Sequence, residues 1–202
     1  MRLAFPNLFE PYKDSFGARL IYPPDHVQVV DATTLTELGL KAPSNPKAKL
    51  KTKPILEAIA KAVAKAKWPD KWQSIYAALQ KQDKLFFHDG ATKAEYEGFE
   101  GNEFVAANSK TRPTILDQLR NELTKADGKP YSGCYVNAII EVWAQDHKEH
   151  GKRINANLKG IQFLRDGDAF SGAGKPADAD EFDEEDVSDT GDAEEAEPDL
   201  EG

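Results

Sequence analysis

A chain of 202 residues with 26 basic and 35 acidic side chains has room for one domain with a sizeable core plus a remainder. Fourteen of the acids fall after residue 177, where there is no Lys or Arg. Without them the body keeps 21 acidic against 26 basic side chains, so a mildly basic domain over 1–175 carries a polyanionic tail over 176–202. The lone Cys134 excludes an internal disulfide. No apolar run approaches the roughly 18 residues of a membrane span, and MRLAFPNLFEPYK has no sustained apolar stretch, so a soluble, cytoplasmic protein is expected.

In chain order, Leu3 to Tyr12 (LAFPNLFEPY) is aromatic but interrupted by Pro6 and Pro11, which predicts an edge or bulged strand. After a turn from Lys13 to Gly17, ARLIY alternates and is stopped by Pro23 and Pro24; it reads as the hairpin partner, with Arg19 on the face of Ile21. Asp25 to Leu40 is mixed, with HVQVV compatible with a short strand and TTLTELGL with a helical turn. Lys41 to Lys53, with two prolines and five lysines, predicts an exposed loop whose charge is free to meet phosphates or merely water. Pro54 suits a first helical turn, and ILEAIAKAVAKAKW places Ile55, Ile59, Ala62, Val63 and Ala66 on one stripe. Pro69 closes that helix, and a second is expected from Trp72 to Gln82.

LFFHDG and EYEGFEGN read as a turn-rich excursion. In NEFVAANS, Phe104, Ala106 and Asn108 alternate with Val105 and Ala107, and Lys110 and Arg112 follow at the strand exit before Pro113. NELTKADGKP has turn character and leads into two long strands joined by a charged turn, from Tyr131 to Leu164. In the first, Cys134, Val136, Ala138, Ile140 and Val142 form a core face, and Tyr135, Asn137, Ile139, Glu141 and Trp143 the opposite one. In RINANLKG, Ile154, Ala156 and Leu158 point one way, and Arg153, Asn155, Asn157 and Lys159 the other. Five strand-like segments without β–α–β alternation predict a mainly β fold with inserted helices (α+β). The expected architecture is an OB-fold-like five-stranded antiparallel barrel followed by a disordered acidic tail.

The second face combines two rings, three amides and two cations, a set that suits a flexible polyanion whose bases are free to stack: single-stranded DNA or RNA, which the pattern does not separate. Packing of Tyr135 and Trp143 under a helix is the competing reading. Lys110, Arg112 and Arg19 are candidate phosphate contacts, with ordinary surface charge as the alternative. His147 and His150 are spaced for a metal on a helix but lie in a polar turn with no third ligand, and the chain has no phosphate loop or nucleophile elbow. No enzyme, cofactor or metal is expected. A tethered acidic tail, at an effective concentration on the order of millimolar, would occupy a basic groove until nucleic acid displaces it, and would then be free for partner proteins. The alternative is an acidic DNA mimic that blocks a DNA-binding partner.

The order of NLFEP, FVAANSKTRP, YVNAIIEVWAQ and INANLKGIQFLRDGDAF resembles a family of phage-encoded OB-fold proteins that bind single-stranded DNA, long catalogued as a phage domain of unknown function. The resemblance covers most of the body. It implies sequence-independent binding of single-stranded DNA in phage replication, recombination or repair, within the infected bacterial cell, and no catalysis. It also implies a tail that recruits replication or recombination proteins, although PDLEG lacks the aromatic end of many such tails. A homo-oligomer is left open. The residues expected to bind are Tyr135 and Trp143 by stacking, Arg19, Lys110, Arg112, Arg153 and Lys159 through phosphates, and Asn137, Asn155 and Asn157 by hydrogen bonds.

Overall fold

In the computed structural model, which describes residues 1–37, 39 and 47–171, β1 (Arg2–Tyr12) and β2 (Ser15–Tyr22) form the expected hairpin. Lys13 and Asp14 both take positive φ at its tip, the geometry of a two-residue turn that matches strand twist. Ala4 pairs Arg19 and Asn7 pairs Gly17, so Phe5 and Pro6 together face one partner residue and form a bulge. The bulge accommodates a proline, which has no ladder donor, and sets Phe5 at φ +48°.

The undecided segment becomes β3 (Val27–Asp31) and the short helix α1 (Ala32–Glu37). Part of the expected Lys41–Lys53 loop is instead β4 (Lys47–Lys51), antiparallel to β3, while 40–46 lie outside the described residues. This ribbon is held by an apolar contact of its own, Val30 and Leu50 against Ile55. Helix α2 (Thr52–Lys67) and helix α3 (Trp72–Lys81) follow where the periodicity placed them. The stripe of α2 is rotated from expectation, since Ala62 and Ala66 face water and Leu56, Ala60 and Ala64 are buried. Small alanines let the helix sit close on the barrel, and the Trp68 indole at its end donates to Asp146 Oδ2 at 3.0 Å.

Residues expected to turn at FFHDG form β5 (Phe87–Asp89), a short strand along the first half of β6 (Glu103–Ser109). Then come β7 (Thr114–Leu116), β8 (Tyr135–His147) and β9 (Gly151–Arg165). The five strands legible in the sequence, β1, β2, β6, β8 and β9, make the barrel: β1 pairs β2 and β8, β2 pairs β6, and β8 pairs β9. It closes through a parallel rather than antiparallel seam, Ala107 with Ala156 and Asn108 with Asn157. That connectivity is the five-stranded Greek-key barrel of the OB-fold, with β5 and β7 added beside the seam.

Leu3, Leu20, Val105, Val136, Ile154, Leu158 and Cys134 fill the barrel, and α2 and α3 close it with Leu56, Tyr76 and Leu79. The predicted inward face of β9 holds through Leu158. A bulge at Lys159, opposite the Ile139–Ile140 step, then turns Ile161 and Phe163 inward in place of the next even-numbered residues. No helix among the described residues is long and apolar enough to cross a membrane. The predicted tail over 176–202 lies outside the described residues.

Candidate nucleic-acid interface

The outer faces of β2, β6, β8 and β9 enclose a groove of about 540 Å³ that runs across the parallel seam. Each strand contributes by alternation: Arg19 from β2, Asn108 and then Lys110 from the exit of β6, Trp143 from β8, and Arg153, Asn155 and Asn157 from β9. One wall is Phe86, His88 and Phe104, with the His88 ring stacked on Phe104 at 5.0 Å and 27°. Lys93, from the 3₁₀ turn Gly90–Lys93, stands at the rim.

Polar groups inside the groove bind one another loosely. Trp143 Nε1 donates to Asn157 Oδ1 at 3.1 Å, and Asn155 Nδ2 donates to Gln145 Oε1 at 3.1 Å. Arg19 donates to the Ala18 carbonyl at 3.1 Å and to Asn108 Oδ1 at 3.3 Å. Burial lowers the Arg19 pKa from the arginine value, yet the guanidinium starts so high that it remains a cation. Neither Arg19 nor Arg153 has a carboxylate partner among the described residues, so both present unneutralised charge. The acid in the wall, Asp83, is engaged by His88 Nδ1 at 2.7 Å. Trp143 keeps 39 % of its surface open to water, beside amides with hydrogen-bonding capacity to spare. Such a surface can stack a flat base, clamp phosphates and hydrogen-bond base edges without a rigid pattern of its own.

Six of the ten expected residues therefore meet: Arg19, Lys110, Trp143, Arg153, Asn155 and Asn157. Four do not. Tyr135 shares a face with Trp143, but β8 is 13 residues long and coils around the barrel, so its two ends look in different directions. The Arg165 guanidinium lies 3.4 Å from the Tyr135 ring centroid and Arg2 lies 5.7 Å away, which occupies that ring as a stacking platform. Asn137 and Lys159 line a separate shallow cleft with Arg120 and Ile139, and Lys159 lies 3.6 Å from Glu141. Arg112 sits over the Phe9 ring at 5.4 Å, outside the groove.

His147, Glu149 and His150 gather in the β8–β9 turn with ligand atoms within 4.8 Å of one another. The two imidazoles are stacked at 19°, and His147 Nδ1 already accepts from the Glu149 and His150 backbone amides at 3.2 and 3.4 Å. Sequence reasoning did not select Asn108, Lys93 or His88. Asn108 was recoverable from the alternation of NEFVAANS, since it shares the face of Phe104 and Ala106. Lys93 and His88 carried no signal, because their place depends on the excursion folding back along β6.

The fold and the groove define a class: an OB-barrel protein whose open strand face presents arginines, amides and an indole. A family model described as Enterobacter phage Enc34, ssDNA-binding protein, matches residues 38–192, and the chain belongs to that family. A curated relative, putative protein p50 of Acyrthosiphon pisum secondary endosymbiont phage 1, is 37 % identical over 185 residues, covering 91 % of this chain and 90 % of the relative. The single-stranded DNA-binding protein of bacteriophage Enc34 superposes with a TM-score of 0.56 at 26 % identity, over 90 % of this chain and 86 % of that one. The same phage protein solved in complex with single-stranded DNA gives a TM-score of 0.55 at 24 % identity over 83 % and 84 %, a likeness of fold.

Proposed function

We propose that this chain binds single-stranded DNA without reading its sequence and acts in phage DNA replication, recombination or repair in the cytoplasm of the host cell. The observation that carries the reading is the groove across the seam, where two arginines without acidic partners among the described residues stand with a half-open indole and three asparagines. Family membership supports the same class of ligand. Bases stack on Trp143, phosphates meet Arg19, Arg153 and Lys110, and Asn108, Asn155 and Asn157 exchange their hydrogen bonds to Arg19, Gln145 and Trp143 for base edges. Binding, rather than catalysis, is the activity this geometry serves. The acidic segment after residue 177 competes for the groove and, once displaced, recruits cationic surfaces of other replication proteins.

The test is a titration of labelled single-stranded DNA, double-stranded DNA and RNA of equal length into the purified chain. Single-stranded DNA binds tightest, with little dependence on base composition. Equal or tighter binding of duplex DNA would remove the proposal.

A further inference from the structure

Beyond Lys93, away from the groove, lies a second cleft of about 670 Å³. Its floor is Phe99 and Phe170, both buried, and its walls are Phe5, Tyr12 and Tyr96, all exposed. Phe5 meets Tyr96 edge to face at 5.0 Å and stacks on Phe99 at 5.7 Å. The bulge in β1 is what puts it there, because positive φ in a strand re-aims the side chain. Such a conformation persists in a non-glycine residue only where the surroundings over-determine it, and that is common at binding sites. Lys93 Nζ lies 5.4 Å from the Tyr96 ring centroid, and Lys13 Nζ 5.2 Å from that of Tyr12. The lining carboxylate, Glu97, already accepts the Ser171 amide at 2.7 Å, and the Asn7 amide carries no hydrogen bond among the described residues.

Water-facing rings flanked by ammonium groups fit a ligand with flat faces and negative charge. Lys93 lines both this cleft and the groove, so the two adjoin at that side chain. We propose that the cleft takes one or two nucleobases of the same single strand that enters the groove. Tyr96 and Tyr12 stack, Asn7 reaches a base edge, and Lys93 holds the phosphate between the two sites. This inference rests on the reading of the groove given above and extends its track.

The experiment compares full-length wild type, Tyr96→Ala, Tyr96→Phe and Trp143→Ala on thymidine oligomers of about 4 to about 16 nucleotides, the span of site sizes for single OB folds. Tyr96→Ala is expected to weaken the longest oligomers about tenfold and leave the shortest unchanged, while Tyr96→Phe restores wild-type affinity and Trp143→Ala weakens every length. If Tyr96→Ala has no effect at any length while Trp143→Ala does, the cleft is lost as a subsite and the groove stands. If neither variant matters, both readings fall. Tighter binding of long oligomers by Tyr96→Ala would give the cleft to the acidic segment after residue 177, and would overturn the inference.

Discussion

Trp143 and Asn157 are joined diagonally across β8 and β9: the indole Nε1 donates to Asn157 Oδ1 at 3.1 Å, although the direct cross-strand partner of Trp143 is Asn155. The bond draws the ring along the strand and leaves a face toward the groove. Stacking on such a platform is worth about 1–3 kcal/mol per base, so Trp143→Ala is expected to weaken single-stranded DNA binding by roughly that amount at every salt concentration. Asn157→Ala keeps the ring but frees its orientation, and a loss of about 1 kcal/mol or less is expected. Fluorescence titration of both variants checks the order; a larger loss from Asn157→Ala would assign the binding energy to the amide.

Arg153 and Arg19 differ from Trp143 in how their loss responds to salt. A side chain that neutralises one phosphate releases condensed counterions, so Arg153→Ala should flatten the plot of log affinity against log salt by about 0.7. Trp143→Ala should leave the slope alone. Parallel slopes for Arg153→Ala and wild type would show that its guanidinium meets no phosphate.

The barrel was legible because four of its five strands alternate cleanly and the first, interrupted by Pro6 and Pro11, still reads as a bulged strand. ARLIY, NEFVAANS and the pair YVNAIIEVWAQD and RINANLKG each turn toward the core the residues that periodicity assigns inward, with Ala138, Ile140 and Val142 only half-buried, up to the bulge at Lys159. Six residues of the groove were legible for the same reason, since each lies on the outer face of a barrel strand or, for Lys110, at its exit. Tyr135, Asn137 and Lys159 show the limit of that logic. Alternation gives the side of a strand but not the coiling that separates one end from the other, and it does not register an extra residue. Lys93 and His88 depend on a segment whose shape is fixed by tertiary contact, and the buried stripe of α2 depends on which alanines the barrel accepts.

Gly17 pairs with Asn108 beneath the Arg19 side of the groove. A Cβ there would overlap the Asn108 side-chain oxygen and lie 2.9 Å from the Ala107 carbonyl, a ladder group at the parallel seam that has little room to move. Gly17→Ala is expected to destabilise the fold by about 1–3 kcal/mol, as overpacking does, and to separate Asn108 from Arg19. A urea melt reads the first effect as a lowered midpoint and DNA titration reads the second. An unchanged midpoint would mean that the seam yields.

Cys134 is fully buried on the inner side of the barrel, and burial pushes its thiol up to about 11. The folded chain disfavours the thiolate, so this group's contribution to stability is complete below the ordinary thiol pKa and is lost as pH rises from there through about 11. Native protein at pH 8 should therefore resist a thiol-specific reagent that labels the denatured chain at once. Stoichiometric labelling of the native protein at pH 8 would place the thiol at the surface.

Fourteen acids after residue 177 are set against a body with more basic than acidic side chains. If they compete with DNA for the groove, a chain ending at Lys175 should bind single-stranded DNA several-fold more tightly at about 0.05 M salt, and the gap should close toward 1 M, where screening reaches about 3 Å. The mechanism requires that sign, because an intramolecular competitor lowers apparent affinity in proportion to its own occupancy of the site. It also requires an effect of Arg153→Ala on the tail, since removing a groove cation weakens the competitor along with the ligand. The gain from truncation should then be smaller in the Arg153→Ala background than in wild type. Were the acids themselves the active part, as in a DNA mimic that blocks a partner, truncation would abolish inhibition of that partner and leave DNA binding unchanged.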